Sequence, residues 1–254
     1  MQGKTENVVV IGGVSGIGRD FVVDRLSKGD RVVATDVNSK AGMEMIDDLS
    51  NSNLHYIHHD VTSEEMTKRV FQEITHHFGN IDVLICSAGI TMKKNWDELD
   101  LEQWERTMNI NLLGLFNSVK GAIPLLLKSS KSKVVIVGSG SSFTGSGGGV
   151  HYATSKGGAI GLMRAVAQAY SEKGIHINLV APRVIETPMI DTLYPTQESR
   201  EALLRSIPVG RMGTLKDTTE AINFLCSDAS DYIQGQVLFL DGGRTHLKSR
   251  EMLQ

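Results

Sequence analysis

Cysteine is scarce in this sequence: Cys86 and Cys226 are the 2 among 254 residues, far apart and each in an apolar setting. So thin a supply excludes a disulfide framework and any C-x-x-C metal or redox motif, and leaves both thiols as small core residues. Proline is also sparse, at 5 residues, which excludes a Pro-rich extended or fibrous chain. No stretch reaches the roughly 18 apolar residues of a membrane-spanning helix. Polar Met1 to Asn7 runs into an apolar segment too short for a secretory signal, so a cytoplasmic location is expected. Charge of one sign is missing as well: 26 Lys+Arg stand against 29 Asp+Glu, a formal net charge of -3, without a long run of either. That excludes nucleic-acid or membrane binding driven by charge. The histidines that do gather (His55, His58, His59, His76 and His77) have no acidic or thiol partner at a ligand spacing, and neighbours on a strand point to opposite faces. No metal is therefore expected, and these side chains are assigned to the surface or to helix ends.

What the chain has instead is apolar content and turns, with 41% hydrophobic residues and 26 glycines. Its length suits one α/β domain spanning residues 1–254. Apolar, β-branched runs recur at Val8–Ile11, Arg31–Thr35, Leu54–Ile57, Ile81–Ile85, Val134–Val137, Ile175–Val180 and Val237–Leu240. They lack the in/out alternation of a half-exposed strand, which is the mark of a parallel sheet covered on both faces. Between them, amphipathic segments of helical length fall at Gly16–Lys28, Lys40–Ser50, Ser63–Phe78, Leu101–Leu127, Tyr152–Ser171 and Lys216–Ser227. The pattern predicts a single doubly wound α/β domain of Rossmann type, a seven-stranded parallel sheet flanked by helices on both faces. The one long irregular stretch, about Arg183 to Gly210, follows a strand's carboxyl end and is the candidate substrate lid.

Two signals point to a dinucleotide. After the first strand, Gly12-Gly13-Val14-Ser15-Gly16-Ile17-Gly18 puts glycines at the mouth of a helix, where close backbone approach, free N–H groups and the helix dipole favour a pyrophosphate. The spacing is G-x-x-x-G-x-G rather than G-x-G-x-x-G. The second strand then ends at Asp36, whose carboxylate can accept from both hydroxyls of an adenosine ribose and would repel a 2′-phosphate; a helix cap before Asn38-Ser39 is the competing role. With no Arg or Lys at positions 15 or 37, the charges favour NAD(H) over NADP(H). Asp60 and Val61, after the third strand, either line an adenine pocket or cap a helix.

A third signal is chemical. The fifth strand ends in Val137-Gly138-Ser139, and the next helix carries Tyr152-Ala153-Thr154-Ser155-Lys156. Tyr and Lys four apart share a helix face, so the ammonium can favour the ionised phenol, whose ordinary pKa of about 10 is too high for work near neutrality. A strand end, the following helix and the nucleotide loop all meet at one crevice in such a fold.

On these motifs the chain resembles the short-chain dehydrogenase/reductases over residues 6 to 243. The resemblance implies Tyr152 as general acid/base, Ser139 orienting the substrate oxygen, and Lys156 lowering the tyrosine's pKa while holding the nicotinamide ribose. It adds Asn111, in Asn109-Ile110-Asn111, as the residue positioning a water in the proton path, and closes with Asp241-Gly242-Gly243. Ser87, Ala88 and Gly89, Pro182, and Thr187 on the nicotinamide carboxamide complete the implied cofactor contacts. It further implies a homotetramer or homodimer formed through the helices of Leu101–Leu127 and Tyr152–Ser171; small residues Gly157, Gly158, Ala159 and Gly161 suit either that interface or packing within one subunit.

The expected activity is NAD(H)-dependent interconversion of a small-molecule secondary alcohol and a ketone. The chain departs from the family pattern at Ile11 for Thr, at Cys86-Ser87 for Asn-Asn, and at Arg183 for Gly. These departures leave a catalytically silent dinucleotide-binding or regulatory protein as the alternative. Arg183 either binds an anionic group on the substrate or braces the lid. His151 either lines the substrate mouth or faces solvent.

Overall fold

The computed structural model of the protein describes residues 5–186 and 194–247. Seven parallel strands form one sheet in the order β3-β2-β1-β4-β5-β6-β7. The strands are β1 (Asn7–Ile11), β2 (Arg31–Asp36), β3 (Leu54–His58), β4 (Val83–Cys86), β5 (Ser132–Val137), β6 (Ile175–Pro182) and β7 (Val237–Leu240). All six residues of β5 are buried, as expected of a central strand with helices on both faces. The order reverses between β1, which pairs with β2 through Val10 and Ala34, and β4, which pairs with β1 through Val10 and Ile85. Crevices open at the carboxyl ends of strands at such a reversal.

One face of the sheet is covered by α1 (Gly16–Ser27), α2 (Ser39–Leu49) and a late helix, α9 (Leu215–Cys226), around Phe21, Val22, Met45, Ile85 and Ile222. The other carries α3 (Glu64–Phe78), α4 (Leu101–Met108), α5 (Gly114–Leu126) and α7 (Val150–Tyr170) around Phe71, Ile74, Leu126, Met163 and Ile177. Helix starts follow their caps. Ser63 accepts from the Met66 N–H at the head of α3, whose first turn holds Glu64 and Glu65, and Thr214 and Asp217 form a reciprocal capping box at α9. Acids and hydroxyls there satisfy free N–H groups and suit the positive end of the dipole.

Two expectations change. The segment Leu101–Leu127 is not one regular helix, because α4 and α5 are joined by a π-helical turn at Asn109–Leu113 that carries Asn111. The stretch after Arg183 is not wholly irregular: α8 (Gln197–Arg205) is closed by a Thr196–Ser199 capping box and buries Leu203 beside Val184 and Ile207. A short α6 (Ser141–Thr144) follows β5. Both expected core thiols are free and buried.

Candidate active site

The glycine turn after β1 is fixed by backbone. Gly12 and Gly13 N–H groups donate to Thr35 O, and Ser87 and Ala88 N–H groups donate to Ile11 O. Ile11 therefore loses no turn support for want of a hydroxyl: its side chain lies in the core at 1% exposure and its carbonyl ties β1 to the loop after β4. Any side chain on Gly12 would strike the backbone of Ala88, and one on Gly18 would strike Gly12 O. Gly16 differs: its φ is +51° and nothing lies within 4 Å of a Cβ built there. This bare backbone at the start of α1 is a cradle of the kind an anion fills.

Gly12, Ser15, Gly16 and Ile17 line a cleft of about 1140 Å³ that continues past Asp36, Asp60 and Val61 to Ser87, Ala88 and Gly89, and on to Ser139, Tyr152, Lys156, Pro182 and Arg183. The structure thus brings together nearly every residue singled out in the sequence. Gly18 supports the turn from behind. Thr187 lies outside the described residues.

At the adenosine end, Asp36 Oδ1 accepts from Asn38 N–H at 3.0 Å while Asn38 itself caps α2. The acid thus braces its own turn and still faces the cleft. Asp60 is likewise doubly bonded, its Oδ1 accepting from Thr62 N–H at 2.9 Å and Thr62 Oγ1 at 2.7 Å, which pulls its carboxyl below the usual range.

His59 is a correction. Assigned to the surface, it is 1% exposed and spans Thr35 Oγ1 (3.1 Å) and Thr67 Oγ1 (3.0 Å). Burial pushes its pKa down to about 4, so it acts as a neutral spacer setting the start of the Asp60-Val61 wall. Only tertiary burial reveals this, because the sequence presents it as one more polar histidine.

At the other end, Ser139 Oγ is held by Ser141, donating to its Oγ at 3.1 Å and accepting from its N–H at 3.2 Å. The Gly147-Gly148-Gly149 loop makes a close approach to Tyr152: a Cβ on Gly148 would lie 2.6 Å from Tyr152 Cδ1 and 2.7 Å from Thr91 Oγ1. Burial raises the Tyr152 phenol, and the Ser139 hydroxyl offsets part of that rise. The expectation that Lys156 lowers the phenol needs correcting for the protein alone. Lys156 Nζ sits 5.8 Å from the Tyr152 ring centroid and donates to Val137 O at 2.9 Å, and its own pKa is pushed down to about 8 by burial.

Asn111 bonds protein at every polar atom of its amide. Oδ1 accepts from Ile90 N–H (2.8 Å), and Nδ2 donates to Ile90 O (2.9 Å) and Ser155 Oγ (3.0 Å). It clamps the loop after β4 to α7, one turn from Tyr152. Ser155, missed in the sequence, is its partner. His151 is neither at the mouth nor solvated: it is 0% exposed, outside the cleft lining, with neither ring nitrogen hydrogen-bonded. Arg183 lines the cleft, donating through Nη1 to Thr245 Oγ1 (3.1 Å) and through Nη2 to Ser146 Oγ (2.8 Å).

A doubly wound sheet with a glycine cradle at one end of its crevice and a proton-handling Ser, Tyr and Lys at the other defines a dinucleotide-dependent oxidoreductase. Comparison with known proteins narrows this. The family model described as enoyl-(acyl carrier protein) reductase matches residues 12–245. The chain is 34% identical over 247 residues to the 3-oxoacyl-(acyl-carrier-protein) reductase of Thermotoga maritima, covering 96% of this chain and 98% of that one. It is 31% identical to the same-named protein of Aquifex aeolicus, at the same coverage. Among solved structures, a short-chain dehydrogenase/reductase of the glucose/ribitol dehydrogenase type from Brucella melitensis superposes with a TM-score of 0.88 at 28% identity, covering 94% of this chain and 96% of that one. The ligand-free aldohexose dehydrogenase of Thermoplasma acidophilum gives 0.83 at 26% identity, covering 95% and 94%. The chain belongs to the short-chain dehydrogenase/reductase family.

Proposed function

We propose that the protein is an NAD(H)-dependent oxidoreductase interconverting a secondary alcohol and a ketone. The observation that carries this reading is the convergence of Ser139, Tyr152 and Lys156 on the cleft whose far end holds the Gly16 cradle and Asp36. The cradle and the acid fit a pyrophosphate and an unphosphorylated ribose, and neither Ser15 nor Val37 offers a cation to a 2′-phosphate. Names among the similar proteins, an oxoacyl reductase and an aldohexose dehydrogenase, describe the two directions of this chemistry.

When bound, the nicotinamide supplies or accepts the hydride. The chain's own residues manage the proton and the oxygen. In reduction, Tyr152 donates its phenolic proton to the carbonyl oxygen while Ser139, steadied by Ser141, hydrogen-bonds that oxygen. In oxidation the proton returns to the phenolate. Lys156 shares the crevice, and its charge stabilises the phenolate once both ends are enclosed. The clamp of Asn111 on Ile90 and Ser155 holds the two walls of the site at one spacing.

The test is a paired titration of the purified protein. NADH should bind at least about tenfold more tightly than NADPH, the preference should collapse in Asp36→Ser, and Tyr152→Phe should lose about a thousandfold or more in turnover while keeping NADH affinity. Equal binding of the two dinucleotides removes the cofactor assignment. A Tyr152→Phe enzyme of full activity removes the mechanism.

A further inference from the structure

Beside Ser139 in the cleft lies a charged side chain, Arg183, that neither dinucleotide binding nor proton transfer uses. Two recessed cations outside the cleft are paired with acids: Arg25 with Asp30 at 2.7 Å and Lys133 with Asp231 at 2.8 Å. Arg183 is half-buried and lines the cleft with Ser139 and Tyr152, yet among the described residues its hydrogen-bond partners are two neutral hydroxyls, Thr245 and Ser146. The nearest acid to act on it, Asp241, is opposed by Arg244 and spends its oxygens on Gly243 N–H and Thr245 N–H, each at 2.8 Å.

Geometry prepares the guanidinium for a ligand. Its stem packs on Gly140, where a Cβ would come within 3.3 Å of Arg183 Cγ and Cδ, so a side chain there would push the stem by a few tenths of an ångström. Thr245 and Ser146 use one N–H from each Nη. A guanidinium has five, so three donors remain on a fork whose orientation is already fixed. A fixed fork of this kind, hydrogen-bonded to no carboxylate among the described residues, matches one on a ligand.

We propose that Arg183 forms the anion-recognition end of the substrate site, and that the substrate is an oxo acid or hydroxy acid whose carboxylate pairs with it. This deepens the function proposed above and rests on the reading of the cleft as an alcohol/ketone site. Glycine, at this position in the family pattern, could not do the same. The braces to Ser146 and Thr245 then serve to hold the fork beside the start of the tyrosine's approach loop, rather than being the residue's sole purpose.

The experiment uses matched probes: acetoacetate and laevulinate against their methyl esters, with NADH, in the wild type, Arg183→Met and Arg183→Lys. Methionine keeps a stem against Gly140 without the charge. The acid-to-ester ratio of kcat/KM should fall about tenfold or more in Arg183→Met, through KM, with Arg183→Lys intermediate. In the wild type, KM for the acids should rise with ionic strength while KM for the esters does not, a readout that needs no variant to fold. An unchanged ratio, or acid and ester falling together, leaves Arg183 as a brace and overturns the proposal while the alcohol/ketone reading stands.

If the wild type turns over neither probe class, the function reading fails on these substrates, and calorimetric titration of acetoacetate and laevulinate into the NADH complex decides the remaining question. Binding lost in Arg183→Met supports the anion site; absent binding, or binding unchanged by the substitution, overturns it.

Discussion

Lys156 is buried with no acid paired to it among the described residues, and that has a measurable consequence for stability. Its pKa falls from an ordinary 10.5 to about 8 because burial disfavours the ammonium. Below about pH 8 folded and unfolded chains both carry the proton, and the folded state bears the full cost of the desolvated charge. Between about 8 and 10.5 the unfolded chain holds a proton the folded chain has released, so this group's contribution rises with pH across that window. The free energy of unfolding of the wild type, measured by urea titration against Lys156→Met, should therefore move in the wild type's favour from about pH 7 to about pH 9.5. A flat or falling difference would contradict the burial argument. The upper limit stays below the Tyr152 range, since a raised phenol pKa acts in the opposite sense. At this scale the sequence was legible where residue type and spacing carry the chemistry, as at Ser139, Tyr152 and Lys156. It was not legible where burial decides, as at His59 and His151, because a polar side chain gives no local sign that other elements will enclose it.

The helix from Leu101 to Leu126 shows what a single element can hide. Its apolar spacing reads as one amphipathic stretch, and inserting one wider turn at Asn109–Leu113 barely alters that spacing. Such turns recur at functional sites, and this one aims the Asn111 amide across to Ile90 and Ser155. Helix α8 escaped for a different reason: Gln197–Arg205 is short and polar and buries only Leu203, too little for a periodic signal. Asn111→Ala leaves the buried partners of its amide unpaired, which should lower the unfolding free energy by about 2–4 kcal/mol. Asn111→Asp keeps the acceptor for Ile90 N–H but loses both donated bonds, so its loss should be comparable or larger. Denaturant titration checks both, and a substitution that changed stability by less than about 0.5 kcal/mol would remove the clamp. Turnover should fall more than NADH affinity, because the clamp spans the loop after β4 and the helix of Tyr152 and not the phosphate cradle.

For the whole molecule, the seven parallel strands and both helical layers follow from the recurring apolar runs, whereas how copies meet depends on surfaces that periodicity does not describe. The small residues of α7 divide on inspection. Gly158 packs against Leu112 within the chain and Ala159 is buried, but Gly157 and Gly161 have nothing within 4 Å of a built Cβ. Leu113, closing the π-helical turn, is 42% exposed, Phe116 on α5 45%, and Leu127 beyond its end 41%. Apolar side chains on one helix and open backbone on a nearby one are what close helix-to-helix association between copies would use. Sedimentation should therefore find a homotetramer, or a dimer as its stable unit. Phe116→Glu with Gly161→Arg should reduce the mass while far-ultraviolet circular dichroism stays unchanged, because neither side chain fills the subunit's own core. Weakening should be steep, since each substitution recurs in every copy and a two-fold contact meets it twice. A wild type that sediments as a monomer at concentrations of tens of micromolar would remove the interface, and the two exposed stripes would then need another occupant.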